Sequence, residues 1–190
     1  KINDYTVNSN VVDIYTPGPQ DPSITPPPGV TPPTGTEVIE PEKVNENASG
    51  ENIGDLGISD QATNFYKMLW KLAPYKDIAS SAEDVAKGFY LVDDAPENVN
   101  IDLEHTTYTD TSGNAVDGIK ATRYDSVEQA PKEVQVRLAA SKIVPVGQFV
   151  IYEVQDPQSF YKNYVQKGID ITVNTPMTFK EGATGEYENK

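Results

Sequence analysis

Apolar and polar residues alternate with a period near two over most of this chain. Segments such as TNFYKMLWKL, GFYLVDD, IKATRY, GQFVIYEV, GIDITVNT and MTFK combine β-branched and aromatic residues with polar neighbours, the pattern of half-buried strands. EKVNEN, NVNIDLEHTTY and GEYEN read as further strands. Turn residues separate them, among them Thr111-Ser112-Gly113-Asn114 and Glu181-Gly182. Three short segments break the pattern with helical signals. Ser80-Ser81 can cap a helix that stops at Gly88. Pro131 opens PKEVQVRLAASK, in which Val134 and Leu138 share a face. Asp156 is an N-cap with Pro157 at the first helical position, and Gly168 is the stop. In that last helix Phe160, Tyr161, Tyr164 and Val165 fall at helical spacing and are expected to dock on a sheet as core. Strands outnumber helices without regular βαβ alternation. The expected fold is therefore mainly β, an antiparallel β-sandwich with short crossover helices.

Composition divides the chain into three zones. Residues 1–16 read as one long strand or two short ones. Residues 17–41 hold 9 of the 15 prolines, a density that removes ladder donors and favours a semi-rigid polyproline spacer. Residues 42–190 carry the folded domain. Acids outnumber bases 29 to 15, giving a formal net charge of −14. That balance opposes nucleic acid and anionic lipid as partners, since both would be repelled, and suits a solvated monomer. There is no apolar run of membrane length, so membrane insertion is not expected. The absence of cysteine favours an exported protein that does not staple itself with disulfides.

Candidate chemistry is sparse. No G-x-S-x-G, Walker or dinucleotide-binding motif occurs. His105 is the sole histidine, which argues against zinc and for a solvent-facing strand residue. No cofactor is expected. Asp93-Asp94 with Glu97, or Asp110 to Asn114, could offer oxygen ligands to Ca²⁺, but a plain hairpin turn explains the second group. A glycosidase would need two facing carboxylates in an aromatic cleft, and nothing singles out such a pair. Trp70 reads as core.

The ordered series NFYKMLWKLAPYK, KGFYLVDDAPE, SVEQAPKEVQVRLAASKI, GQFVIYEVQDPQSFYKNYVQKGIDITVNTPMTFK and TGEYENK resembles the streptococcal antigen I/II adhesins. It is similar to the middle module of that family's three C-terminal domains, over roughly residues 41–190, and enterococcal aggregation substances are near relatives. Residues 1–17 resemble the closing strand of a preceding module. The resemblance implies a variant immunoglobulin-like sandwich in the stalk of a cell-wall-anchored, extracellular Gram-positive adhesin. It implies no enzymatic turnover. Partners would be host glycoproteins or other bacteria, met by the full-length protein. Similar sequences continue past the point equivalent to Lys190, so the domain is expected to be cropped with one sheet edge open.

The resemblance also implies a Lys-Asn isopeptide bond. The matching residues are Lys43, Asn189 and Asp93 as assisting acid. Such a bond requires a lysine amine kept neutral by burial, and a carboxamide polarised by a neutral carboxylic acid. Strand alternation places Asp93 with Leu91 and Phe89, and the rival Asp94 with Val92 and Tyr90. Lys67 is a rival amine. A second implication is partner binding through the 131–146 region, with Val134, Val136, Arg137 and Leu138 as candidate contacts.

Overall fold

The computed structural model describes residues 14–15, 42–52, 63–141 and 144–182. Nine strands run in chain order through them: β1 Ile14–Tyr15, β2 Glu42–Glu46, β3 Thr63–Trp70, β4 Tyr90–Asp94, β5 Val99–Ile101, β6 Thr107–Asp110, β7 Ile119–Tyr124, β8 Phe149–Val154 and β9 Ile171–Phe179. Helices α1 (Ala82–Ala86), α2 (Lys132–Ser141) and α3 (Pro157–Phe160) connect them. The strands form two antiparallel sheets. One has the order β1-β4-β8-β7. The other is β2-β3-β9, with β5 and β6 end to end along the free edge of β9. The antiparallel sandwich expected from the strand pattern is the architecture of the protein.

Burial explains the two kinds of strand sequence. In β3 alternate residues Asn64, Tyr66, Met68 and Trp70 are buried, and the intervening positions are partly or fully exposed. One face of β3 meets the other sheet and one faces water. By contrast, β4 and β8 are buried on both faces. Their inner residues Leu91, Val150 and Tyr152 join Met68, Trp70, Ile171 and Val173 between the sheets. Their outer residues Tyr90, Val92, Phe149 and Ile151 are covered by Val134 and Leu138 of α2. Strands enclosed on both sides read as near-continuous apolar runs, as YLV and FVIY do here.

The helix signals act as expected. Ser81 accepts from Asp84 N at 3.0 Å and caps α1. Asp156 accepts from Ser159 N at 3.0 Å with Pro157 behind it. After Phe160 the helix widens into a π-turn over Tyr161–Val165. Phe160 lies 5.4 Å from both Trp70 and Phe89 between ring centroids, so this segment closes one end of the sandwich. Trp70, Phe160, Tyr161 and Val165 are buried, as core residues should be, while Tyr164 is half-buried against them.

Three elements differ from the sequence pattern. NVNIDLEHTTY is two strands, because Asp102 turns the chain: its carboxylate accepts from His105 N at 3.2 Å. His105 thus sits in a turn, exposed and 2.7 Å from the Asp102 carboxylate, rather than in a strand. That hydrogen bond, first among several, holds Asp102 below its usual range. GIDITVNT and MTFK join into the single strand β9, which passes through Pro176. Pro176 accepts from Asp102 N at 2.9 Å, so its missing donor points to the gap between β5 and β6, where no ladder bond is lost. Finally, Ile14–Tyr15 pairs with Leu91 and Tyr90 of β4, which brings this part of the leading segment to the sandwich edge. The expected GEYEN strand lies outside the described residues.

Two glycines in left-handed backbone give a direct test of packing. At Gly168 (φ +65°) an added Cβ would stand 2.7 Å from Lys76 Cβ and 3.2 Å from Ala73 Cα. At Gly113 (φ +81°) it would meet nothing within 4 Å. Gly113→Ala should cost about 1 kcal/mol from backbone strain alone, and Gly168→Ala about 3 kcal/mol, since strain and overpacking add. Urea denaturation of the two variants measures the difference.

Candidate functional site

Most buried polar side chains among the described residues have local explanations. Asp84 caps its own helix through Ser81 and pairs with Lys87 at 2.6 Å. Gln148 donates to the carbonyls of Pro96 and Val99, anchoring a loop. Asp93 and Thr175 are different. Both are 0% exposed, and they come from opposite sheets.

Asp93 stands opposite Val150 in the β4–β8 ladder. Alternation puts it on the inward row with Leu91, and Asp94 on the other face, where its carboxylate accepts from Val146 N at 3.0 and 3.1 Å. Across the interior, Thr175 is paired with Tyr66. The Tyr152 hydroxyl of β8 bridges the gap to Thr175 Oγ1 at 2.8 Å, and Thr106 Oγ1 donates to Thr175 Oγ1 at 3.2 Å. The interior therefore holds a polar cluster: the Asp93 carboxyl, two phenols and two threonine hydroxyls. Burial, reinforced by the Asp93 charge, pushes the Tyr66 phenol up to about 12. The Tyr152 phenol is raised by the same two causes, opposed in part by its bond to Thr175.

The backbone of β2 runs beside β3 in a register that sets Lys43 opposite Met68 and Asn45 opposite Tyr66. Directly opposed residues of an antiparallel pair share a face, and Met68 and Tyr66 belong to the inward row. Position 43 is thus on the row that faces the other sheet. Lys67 is on the outward row of β3, where its ammonium pairs with the Glu46 carboxylate at 3.0 Å. Asn189 lies outside the described residues.

On α2, Val134 and Leu138 are turned into the core, and Val136 is 57% exposed. Arg137 is held to the sheet: its guanidinium is 5.8 Å from the Tyr90 ring centroid and pairs with the Glu153 carboxylate. In the following loop Val144 and Val146 are exposed.

Among the described residues no three His, Cys, Asp or Glu side chains converge to hold a metal. Asp93 and Asp94 point to opposite faces. Asp110 is occupied by the hairpin turn, accepting from Ser112 N at 2.8 Å and from Asn114 N and Nδ2 at 2.9 Å. No described helix is long and apolar enough to cross a membrane.

Sequence reasoning missed Tyr66, Tyr152, Thr106 and Thr175 as a group. Each sits in a strand-like stretch where it reads as ordinary filling. Only the closure of two sheets brings them together, so no local signal marks them.

Fold and site together define a class, an antiparallel β-sandwich module whose distinctive polar chemistry is enclosed between its sheets. Residues 41–190 match the family model of the cell surface antigen I/II C2 terminal domain. The chain is similar to the C-terminal domain of the Streptococcus pyogenes antigen I/II-family protein AspA, at 30% identity over 76% of this chain and 44% of that one, with a TM-score of 0.68. It is also similar to the C-terminal domain of the Streptococcus agalactiae antigen I/II polypeptide BspA, at 29% identity over 75% of this chain and 40% of that one, with a TM-score of 0.56. This chain belongs to the cell surface antigen I/II family, a family of surface antigens and not of enzymes. It spans less than half the length of the solved structures it matches.

The buried phenols imply an alkaline limit. Tyr66 and Tyr108, the latter raised by burial alone, ionise near 12 in the folded protein against 10.0 for an ordinary tyrosine. A raised folded value stabilises the neutral form, so its contribution is complete below pH 10 and is lost as pH climbs through about 12. Urea denaturation across that window should show falling stability, and Tyr66→Phe should make the fall shallower.

Proposed function

We propose that this chain is a non-catalytic stalk module of a cell-wall-anchored Gram-positive adhesin, locked by an intramolecular amide between Lys43 and Asn189. In this reading residues 17–41 are a stiff spacer, and residues 1–16 are the end of a preceding module, of which Ile14–Tyr15 pairs with β4 of this one. The full-length adhesin contacts host glycoproteins or other bacteria, and the module itself is a monomer.

The observation that carries the reading is the fully buried Asp93 carboxyl, facing between the sheets toward the row to which position 43 belongs. Burying a carboxyl between two sheets is costly and calls for a chemical reason. Burial favours the neutral forms of amines and of carboxylic acids. A neutral amine is the nucleophile the reaction needs, and a carboxylic acid donating to a carboxamide makes its carbon electrophilic. Lys43 Nζ attacks that carbon, the bond to the Asn189 side-chain nitrogen breaks, and ammonia leaves. Held together in one folded interior, the two groups would gain much of the rate from proximity.

The consequence is mechanical. Treated like a disulfide closing a loop of roughly 150 residues, the bond constrains the unfolded chain by about 5 kcal/mol. Tension between the ends of the domain would run through a covalent link rather than through hydrogen-bonded strands. A stalk without cysteine gains in this way what disulfides give other secreted proteins.

A second reading is favoured by exposed apolar residues around α2. Val136, Val144 and Val146 are 57%, 80% and 77% exposed, the only large apolar side chains so exposed among the described residues. The region 131–146 would then contact a host or bacterial protein. A peptide of residues 131–146 should compete for that partner if this reading holds, and have no effect if the module is a spacer.

Intact-protein mass spectrometry tests the principal reading. The wild-type module should be lighter than its sequence by one ammonia. Lys43→Ala and Asp93→Ala should both have the unmodified mass, and Lys43→Ala should lose about 5 kcal/mol of stability. An unmodified wild-type mass removes the cross-link and leaves the stalk.

A further inference from the structure

The hydroxyl chain in the interior has a direction and an exit. Tyr152 and Asp93 are diagonal neighbours on the inward rows of paired strands, since Asp93 faces Val150 and Tyr152 is two residues further along β8. Diagonal neighbours of this kind lie within reach of a long aromatic side chain. From Tyr152 the hydrogen bonds pass to Thr175 at 2.8 Å and on to Thr106 at 3.2 Å. Thr175 is fully buried and Thr106 is half-buried. Thr106 has a second acceptor, the carbonyl of Asp102 at 3.3 Å. Asp102 and Pro176, the neighbour of Thr175, both line a cavity of about 510 Å³ that also includes the exposed Glu104.

We infer that the Tyr152–Thr175–Thr106 chain is the proton route between the buried Asp93 and this surface cavity, serving bond formation between Lys43 and Asn189. The inference rests on the isopeptide reading above. Its chemistry follows from the balance of that reaction. The lysine is an ammonium in water, and the complete reaction converts an ammonium and a carboxamide into a secondary amide and an ammonium ion. One C–N bond forms, one breaks, and nothing is oxidised or reduced. Ammonia can leave the apolar interior as a neutral molecule, but the excess proton cannot cross it unassisted.

A hydroxyl both donates and accepts, so a chain of them can pass a proton by reversing every bond. The alternative acceptors of Thr106 permit that reversal. When Thr106 donates to Thr175, the donors point inward and the Tyr152 hydroxyl faces the interior as a donor. When Thr106 turns to the Asp102 carbonyl, its oxygen is free to accept and the chain runs outward. The Asp93 charge felt at Tyr152 accords with their proximity. Asp102 and Glu104 on the cavity wall outnumber its one cation, Arg123, which is paired with Asp125 at 2.7 Å, so the wall favours an emerging proton.

Refolding kinetics provide the test. Full-length chain dissolved unfolded from inclusion bodies is diluted into buffer. Folding is followed by the fluorescence of Trp70 and ammonia loss by intact mass. Thr175→Val should fold yet lose ammonia about a hundredfold more slowly, the scale of positioned proton transfer. Thr175→Ser restores a hydroxyl and should recover the wild-type rate. Should Thr175→Val fold poorly, the double variant Tyr152→Phe/Thr175→Val removes both polar ends together, which a buried site tolerates better, and should show the same slowing. Wild-type speed in whichever of these variants folds overturns the proton route while leaving the cross-link standing. Failure of the wild-type chain to lose ammonia overturns the cross-link itself, and the route with it.

Discussion

A carboxyl group shut between two β-sheets sets the terms for the rest of this molecule. Asp93 occupies an inward position on a strand buried on both faces, among leucine, valine and aromatic side chains. Transfer of an ionisable group to such a place is unfavourable unless neighbours compensate. Compensation here comes from both sheets: phenols on β3 and β8 and a threonine on β9 gather around the same depth of the interior. The site therefore exists only while the sheets are closed on each other. Anything that loosens the sandwich admits water and dissolves the chemistry.

The architecture is arranged to keep it closed. One sheet is covered on its outer face by α2, through Val134 and Leu138, and on its inner face by β3 and β9. The π-turn after α3 seals an end with Phe160 against Trp70 and Phe89. The Tyr161 hydroxyl ties that seal to the preceding loop, donating to Ile78 O at 2.8 Å and accepting from Ser80 N at 2.9 Å. Asp170 does similar work, accepting from Leu72 N and Ala73 N at 2.6 and 2.7 Å. These bonds join segments about 80 to 100 residues apart in sequence, and they do so without disulfides.

Much of this was legible in the residues. Alternation located β3, β4, β7 and β8, and capping chemistry located α1 and α3, because strand and helix periods are local properties. The same period-two rule separated Asp93 from Asp94. It failed where a long-range partner overrode local pattern. Pro176 looked like a strand end, yet it sits inside β9 because the neighbouring edge is broken opposite it. The stretch NVNIDLEHTTY looked continuous, yet the Asp102 turn divides it. Val134, Val136, Arg137 and Leu138 are all candidate partner contacts by resemblance, but the sheet beneath takes Val134 and Leu138 and pins Arg137, leaving Val136 outside.

The sequence by itself determined the class of fold, the family and the types of residue available for chemistry, since periodicity, composition and ordered motifs are carried along the chain. Only the tertiary structure decided which side chains meet. Tyr66, Thr106, Tyr152 and Thr175 belong to four different strands or turns, spread over more than half the sequence, and no period links them. Their contact is a product of how two sheets face each other, a relation set by packing across the interior and invisible to any local pattern.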